Sequence, residues 1–335
     1  MSTKTYDVIA IGNAIVDVLS QEDDAFIARH SMPRNDMRLI DAAQAESIYA
    51  DMSQTTEVSG GSAANTLAGM AQLGAKTCFI GRVRDDSLGK HFRHDLNAVG
   101  VDYTTPYNIS GAPTARCLIV VTGDGERTMN TYLGAAGEVF EGDVEEATVN
   151  NAKIVLGEGY MWDKECTKAA ILKAFRLAKA SGGKVAFTTS AVFCIAGHRE
   201  EFQQLINDHI DILFCNEEEA KALYPERSFE QVLDHLQSKC DIVAVTMSEK
   251  GSIILAKDKR YSVAATKVEQ VVDTTGAGDM YSAGFLYGLT RGFDLERCAK
   301  LGGACAAKVI QRIGARIDTQ EIQEALAEVS AKHAA

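Results

Sequence analysis

Proline is scarce in this sequence, four residues in 335, and the four are scattered. No linker, repeat or low-complexity tract breaks the chain, so one continuous domain over residues 1–335 is expected. A surplus of positive charge is also missing: 34 Lys and Arg stand against 46 Asp and Glu, a net charge of −12. Without a basic block there is no electrostatic footprint for nucleic acid or an anionic membrane. No run approaches the roughly 18 apolar residues of a membrane span. The N-terminal MSTKTYDVIAIGN has an apolar stretch too short for a signal-peptide core and reads as a first strand. Eight cysteines occur without any C-x-x-C, several inside strand-like runs such as KTCFIG, ARCLIVV and ILFCNE. They read as small buried hydrophobes of a reducing, cytoplasmic protein. G-x-x-x-x-G-K-[ST] is absent, which excludes the Walker-type phosphate loop.

What is present is a hydrophobic fraction of 46%, ample for a large core. Short apolar runs (TYDVIAIG, KTCFIG, AKIVLG, GKVAFTT, DILFCN, DIVAVTM) alternate with helical periods such as SAANTLAGMAQLG, TKAAILKAFRLAKASGG and FEQVLDHLQSKC. That alternation predicts an α/β fold, a mostly parallel sheet flanked by helices on both faces, with ligands at the carboxyl ends of the strands. Two stretches break the pattern. Residues 114–133 read as two strands around Gly123-Asp124-Gly125, and 14–40 as a polar, irregular segment. We expect them to form a small antiparallel β lid at the sheet edge, its hairpin making few core contacts of its own. A second hairpin turns at Glu249-Lys250-Gly251.

VVDTTGAGDMYSAGFLYGL (271–289) places Asp279 directly after a glycine-rich turn that opens a helix. Gly276, Ala277 and Gly278 leave backbone N–H groups accessible to an anion at the positive end of the helix dipole. A carboxylate beside a phosphate site is a contradiction unless the phosphoryl group is in transit. The N–H groups then serve its charge, and the aspartate accepts the proton of an attacking hydroxyl. The structural alternative is a tight turn with an acidic helix start.

DTTGAGD resembles the second signature of the PfkB, or ribokinase-like, family of sugar and nucleoside kinases. GGSAANTLAGMAQLG (60–74) with GRVRDDSLG (81–89) resembles the first, IGNAIVDV (11–18) the N-terminal substrate strand, and NEEE (216–219) the N-x-x-E motif. GN-x-x-x-D near the start and CAAKVIQRIGA near the end lean toward adenosine kinases and their bacterial relatives, although several bacterial sugar kinases share the same wording. The resemblance implies a ribokinase-like fold with a small β-sheet lid. It implies Asp279 as catalytic base and Gly276, Ala277 and Gly278 as anion hole. Asn13, Asp17, Gly60, Gly61 and Asn65 would bind the acceptor, with Asp17 on its sugar hydroxyls, and Arg127 would correspond to a basic residue that reaches phosphate. Arg127 reads equally as an exposed arginine after a turn. Asn216 and Glu219 would organise Mg²⁺ and its waters beside ATP, Glu219 acting through water. By local chemistry Asn216 is also a natural N-cap. Thr246, Ser248 and Gly251 fall on the family's nucleotide loop, commonly T-x-G-x-x-G, with Ser248 in place of the middle glycine. Met37 and Leu39 read as an apolar lip or as ordinary core.

The implied activity is transfer of the γ-phosphoryl group of ATP to a primary hydroxyl, in first place the 5′-OH of adenosine. A sugar kinase acting on ribose, fructose or a keto-deoxy sugar is the near alternative, and a non-catalytic sensor the far one. Mg²⁺, with a monovalent cation such as K⁺ as a further candidate, and a monomeric or homodimeric state complete the expectations.

Overall fold

The computed structural model describes residues 4–334. Within them the chain runs through β1 Tyr6–Ile11, β2 Ile15–Gln21, β3 Met37–Leu39, β4 Thr55–Ser59, β5 Thr77–Ile80, β6 Val101–Tyr103, β7 Ala115–Val121, β8 Arg127–Tyr132, β9 Ala152–Glu158, β10 Lys184–Thr188, β11 Ile212–Asn216, β12 Ile242–Thr246, β13 Ser252–Ala256 and β14 Lys259–Val263. Nine strands form one sheet, ordered β14-β13-β12-β11-β10-β9-β1-β5-β6. It is parallel from β12 to β6 and antiparallel only at β13 and β14.

The strand sequences explain this arrangement. Their runs are apolar without alternation, as a sheet covered on both faces requires. In β1 the residues point alternately into two cores. Val8 and Ala10 pack with Leu67, Met70 and Phe285, whereas Ile9 and Ile11 pack with Phe175, Ile171 and Val149. Helices Ser62–Gln72 and Ala277–Thr290 cover the first face, and helix Glu165–Ala180 lies on the second. The α/β architecture with helices on both faces is the one read from the sequence.

Small residues bring the covering helices close together. A Cβ on Gly284 would lie 2.7 Å from the Leu301 carbonyl oxygen, one on Gly302 2.7 Å from that of Tyr281, and one on Gly69 2.9 Å from the Ala283 Cβ. Helix Ala277–Thr290 therefore sits tightly between Ser62–Gln72 and Leu295–Val309. This crossing sets the N-terminus of one signature helix against that of the other.

The remaining five strands form a second sheet, β3-β8-β7-β2-β4. It corrects the expected flap in three ways. The sheet is mixed rather than antiparallel, because β2–β7 and β3–β8 pair in parallel. Residues 14–40 are not irregular: they hold β2, the short helix Asp24–Arg29 and β3. The edge strand β4, TTEVS, was not foreseen. Nor does the 114–133 hairpin lack a core. Residues Ala115–Val120 of β7 are all buried, because β7 is the middle strand and one face of the sheet, with Val16, Val18, Leu118 and Val120, packs on Phe26 and Ile48. The unbroken ARCLIVV run carried that information, since a strand with one wet face alternates. The pairing Leu39↔Thr131↔Cys117↔Asp17 and Met37↔Met129↔Ile119 puts Met37 and Leu39 on the same face as Asp17.

Candidate active site

The carboxyl ends of the parallel strands collect the polar residues. Asn13 lies just beyond β1, Glu158 closes β9, Asn216 closes β11 and Thr246 closes β12. Two helix starts face them, one after Gly61 and one after Gly276.

Asp279 stands in the first turn of helix Ala277–Thr290. Ser62 Oγ donates to its Oδ1 at 2.6 Å and Asn65 Nδ2 to its Oδ2 at 3.0 Å, while Thr66 Oγ1 donates to its backbone carbonyl at 3.2 Å. The first signature thus holds the second. Burial pushes the Asp279 carboxyl above its ordinary pKa, and the two donors and the Arg316 charge oppose that push.

The three residues of the glycine turn are not equivalent. Gly276 adopts φ +77, and a Cβ there would lie 2.6 Å from Ala315 Cα, so the fold itself requires glycine. Gly278 is within the helix, is exposed, and a Cβ would meet nothing within 4 Å. No packing reason keeps Gly278 free of a side chain. Ala277 is the first helical residue between them.

At the start of helix Ser62–Gln72, Gly61 has φ +89, and a Cβ on it would lie 2.3 Å from the Asn13 carbonyl oxygen. Gly60 donates its N–H to the Ile15 carbonyl at 2.8 Å, and a Cβ on it would lie 2.6 Å from Asp17 Oδ2. The Asp17 carboxylate therefore lies directly against bare backbone. Burial raises its pKa to about 7, with Arg316 and Arg127 pulling it down and Asp279 and Asp273 adding to the rise. Asn13 is buried, and its Nδ2 donates to the Tyr160 carbonyl at 3.3 Å. Asn13, Asp17, Gly60, Gly61 and Asn65 are thus gathered around Asp279.

Arg127 is neither exposed nor unpaired. Its Nη1 meets Asp273 Oδ2 at 2.8 Å, and Asp273 also accepts from Thr275 N at 3.0 Å and Gly314 N at 2.7 Å. The ion pair ties the start of β8 in the small sheet to the turn that precedes Asp279.

Asn216 caps helix Glu217–Leu223 in a reciprocal capping box with Glu219. Both Glu219 oxygens are engaged: Asn216 Nδ2 donates to Oε1 at 2.8 Å, and Thr189 Oγ1 to Oε2 at 2.6 Å. Its burial raises its pKa. Among the described residues no group of three or more His, Cys, Asp or Glu could hold a metal. With so few protein donors, the site fits only an ion that takes most of its ligands from water and phosphate, the habit of Mg²⁺.

Thr246 closes β12, and Ser248 and Gly251 lie in the turn that leads to β13. Gly251 has φ +95, and a Cβ on it would lie 2.0 Å from the Val263 carbonyl oxygen. Ser248 has φ +50, the left-handed region that a glycine would occupy without cost. Ser248→Gly is therefore expected to raise stability by up to about 1 kcal/mol, after the added unfolded-state entropy of glycine is subtracted. Urea unfolding of the two proteins measures it, and a lower midpoint for the glycine variant would count against strain at this turn.

Comparison with known proteins gives the family. A family model described as pfkB family carbohydrate kinase matches residues 35–322. The chain belongs to the PfkB family. It is an ATP-dependent phosphotransferase that acts on a sugar or nucleoside hydroxyl. Among solved structures, a probable sugar kinase from Rhizobium etli CFN 42 is 46% identical, with a TM-score of 0.91 over 98% of this chain and 100% of that one. An adenosine kinase from Sinorhizobium meliloti is 45% identical, with a TM-score of 0.89 over 98% and 99%. A 5-dehydro-2-deoxygluconokinase of Bacillus subtilis is 26% identical over 92% of this chain and 91% of its own. The lean toward adenosine is thus not separated from the sugar-kinase alternative.

Three residues of this PfkB-family site escaped the sequence reading. Ser62 lies inside the first signature, beside residues that were singled out. Glu158, fully buried, accepts from Asn13 N at 2.8 Å and Ala63 N at 2.7 Å, and burial pushes its pKa up to about 7. A charged residue closing the apolar run AKIVLGE was the available signal. Arg316 donates through Nε to Asn65 Oδ1 at 3.0 Å. Nothing local marks it, because only the fold carries residue 316 to the first signature.

Proposed function

We propose that this kinase phosphorylates the primary hydroxyl of a sugar ring, with Asp279 as the base. One observation carries the reading: a carboxylate held by Ser62 and Asn65 beside a helix start whose Gly278 is bare for no packing reason. The acceptor oxygen attacks the γ-phosphorus of ATP, the new O–P bond forms as the bond to the β-phosphate oxygen breaks, ADP leaves, and the hydroxyl proton passes to Asp279. The N–H groups at Gly276–Gly278 receive the charge on the transferring oxygens. Mg²⁺ held through water at Glu219, with Asn216 beside it, would neutralise phosphate charge. Asp17 and Asn13, over the bare backbone of Gly60 and Gly61, supply directional partners for ring hydroxyls. Thr246 and Gly251 border the nucleotide. Arg127 keeps the turn ordered through Asp273.

Support for a free sugar or sugar acid is the broader: the family's own description, the Rhizobium etli structure and the Bacillus subtilis relative all point to it. One observation favours a nucleoside as second reading. Tyr160, whose carbonyl holds Asn13, pairs with Phe193 at 5.8 Å between ring centroids, and Phe193 is 47% exposed. An exposed aromatic beside the polyol site suits a planar base, and the Sinorhizobium meliloti structure agrees with it.

Coupled ADP release measured over ribose, fructose, 5-dehydro-2-deoxygluconate and adenosine separates the two. The sugar reading expects one of the free sugars or the sugar acid to equal or exceed adenosine in kcat/KM. A tenfold advantage for adenosine would replace it by the nucleoside reading. Absence of ADP release with every acceptor would remove both.

A further inference from the structure

We propose that Arg316 is a positioning residue, orienting the Asn65 amide so that it donates to Asp279. The inference rests on the reading of Asp279 as base and adds to it a residue outside both signatures.

A side-chain amide is ambivalent: one end accepts, the other donates, and a flip about the last torsion exchanges them. Asn65 lies between Arg316 and Asp279. Arg316 Nε donates to Oδ1 at 3.0 Å, and Nδ2 donates to Asp279 Oδ2 at 3.0 Å. A guanidinium can only donate and an ionised carboxylate can only accept. The chain Arg316→Asn65→Asp279 therefore has one permitted direction. Without Arg316 nothing holds the amide oxygen, so the amide is free to rotate off the carboxylate, leaving Ser62 as the side chain fixed to donate to it.

Two further observations point the same way. Arg316 Nη2 is buried and has no hydrogen-bond partner among the described residues. Leaving a charged donor unpaired inside the protein is unfavourable, and folding alone gives no reason to keep it. The guanidinium also sits among carboxylates from three elements: Asp17 on β2, Asp95 on helix Ser87–Ala98, which is itself held by Ser59 Oγ at 2.7 Å and by His91 at 3.2 Å, and Asp279. The Asp279 charge acts in turn on the neighbouring Glu158, and Arg127 adds an opposing charge at Asp17. Burial lowers the Arg316 pKa only to about 10, so the group stays cationic throughout the working range. Its charge then lowers the Asp279 pKa, against the effect of burial.

The test uses Arg316→Met, Arg316→Lys, Asn65→Ala and the Arg316→Met/Asn65→Ala double variant. ADP release is followed from pH 5 to 9 with the acceptor turned over fastest among the four named above. For Arg316→Met we expect kcat to fall ~10-fold or more and the acidic limb of the kcat profile to move up by about one unit, the effect of removing an opposite charge nearby. KM for ATP should stay within about twofold, as for a loss confined to the transition state. Arg316→Lys should restore the limb more than the rate, since it returns the charge without the planar fork. In the Asn65→Ala background, Arg316→Met should cost much less than it does alone. An unshifted limb with full kcat in Arg316→Met would overturn the proposal, and so would an equal loss with and without Asn65. Should Arg316→Met fail to fold, Arg316→Lys decides: a limb and rate like wild type would overturn it. If Asp279→Asn retains turnover, the reading underneath falls instead, whatever Arg316 does.

Discussion

Asp279→Asn should reduce kcat by about 10²-fold or more, the usual loss when a general base is removed, while nucleotide binding survives. The substitution is nearly isosteric, but an amide cannot take the proton released by the attacking hydroxyl. It also turns one carboxylate oxygen into a donor facing either Ser62 Oγ or Asn65 Nδ2, both of which now donate to Asp279. A modest fall in thermal stability is therefore expected beside the large fall in rate. Titration with a fluorescent ATP analogue tests binding, and single-turnover phosphoryl transfer tests chemistry. A variant with near-wild-type turnover would remove Asp279 from the base role. The wild-type pH profile carries a linked expectation. Burial holds the Asp279 proton to higher pH than an ordinary carboxyl does, so turnover should be lost, as pH falls, above the usual carboxylate range near 4. Asp17 and Glu158, each raised to about 7 by burial, titrate in the same field. The acidic limb should thus report the group rather than one residue.

Gly278→Val should abolish most of the activity, about 10²-fold or more, the scale of losing a backbone donor at developing charge, and leave the fold almost untouched. The reasoning compares the two glycines of the turn. At Gly276 positive φ and the contact with Ala315 demand glycine whether or not an anion binds. At Gly278 the backbone is helical and the first side-chain atom would enter open space. Valine and glycine differ little in helix propensity, by a few tenths of a kcal/mol. The branched side chain would instead fill the approach to the N–H groups of the helix start. Melting temperature and kcat/KM, measured on the same preparation, separate the two effects. A loss of stability that accounts for the loss of activity would return Gly278 to a purely structural role.

The sequence by itself determined the layers and the signatures. Apolar strands without alternation, helical periods between them and the glycine-bounded turns suffice for a parallel sheet covered on both faces, because burial and backbone hydrogen bonding act on each segment locally. The glycine-rich turn by itself drew attention to Asp279, whereas Asp17, Asn65 and Asn216 were singled out by the resemblance of the motifs that contain them. Tertiary structure decided what depends on contacts between distant segments. The parallel pairing of β2 with β7 turned an expected free hairpin into the middle of a five-stranded sheet, since pairing partners 100 positions apart leave no mark on either strand. The crossing of two small-residue helices made Ser62 and Asn65 the donors to Asp279. Glu158 reached the site as the closing residue of a strand, and Arg316 by the return of the chain after helix Leu295–Val309, so neither sat in a motif. The distinction between Gly276 and Gly278 was likewise invisible in GAG. Both have the same side chain, and only the surroundings show that one is bare for the fold and the other for what approaches it.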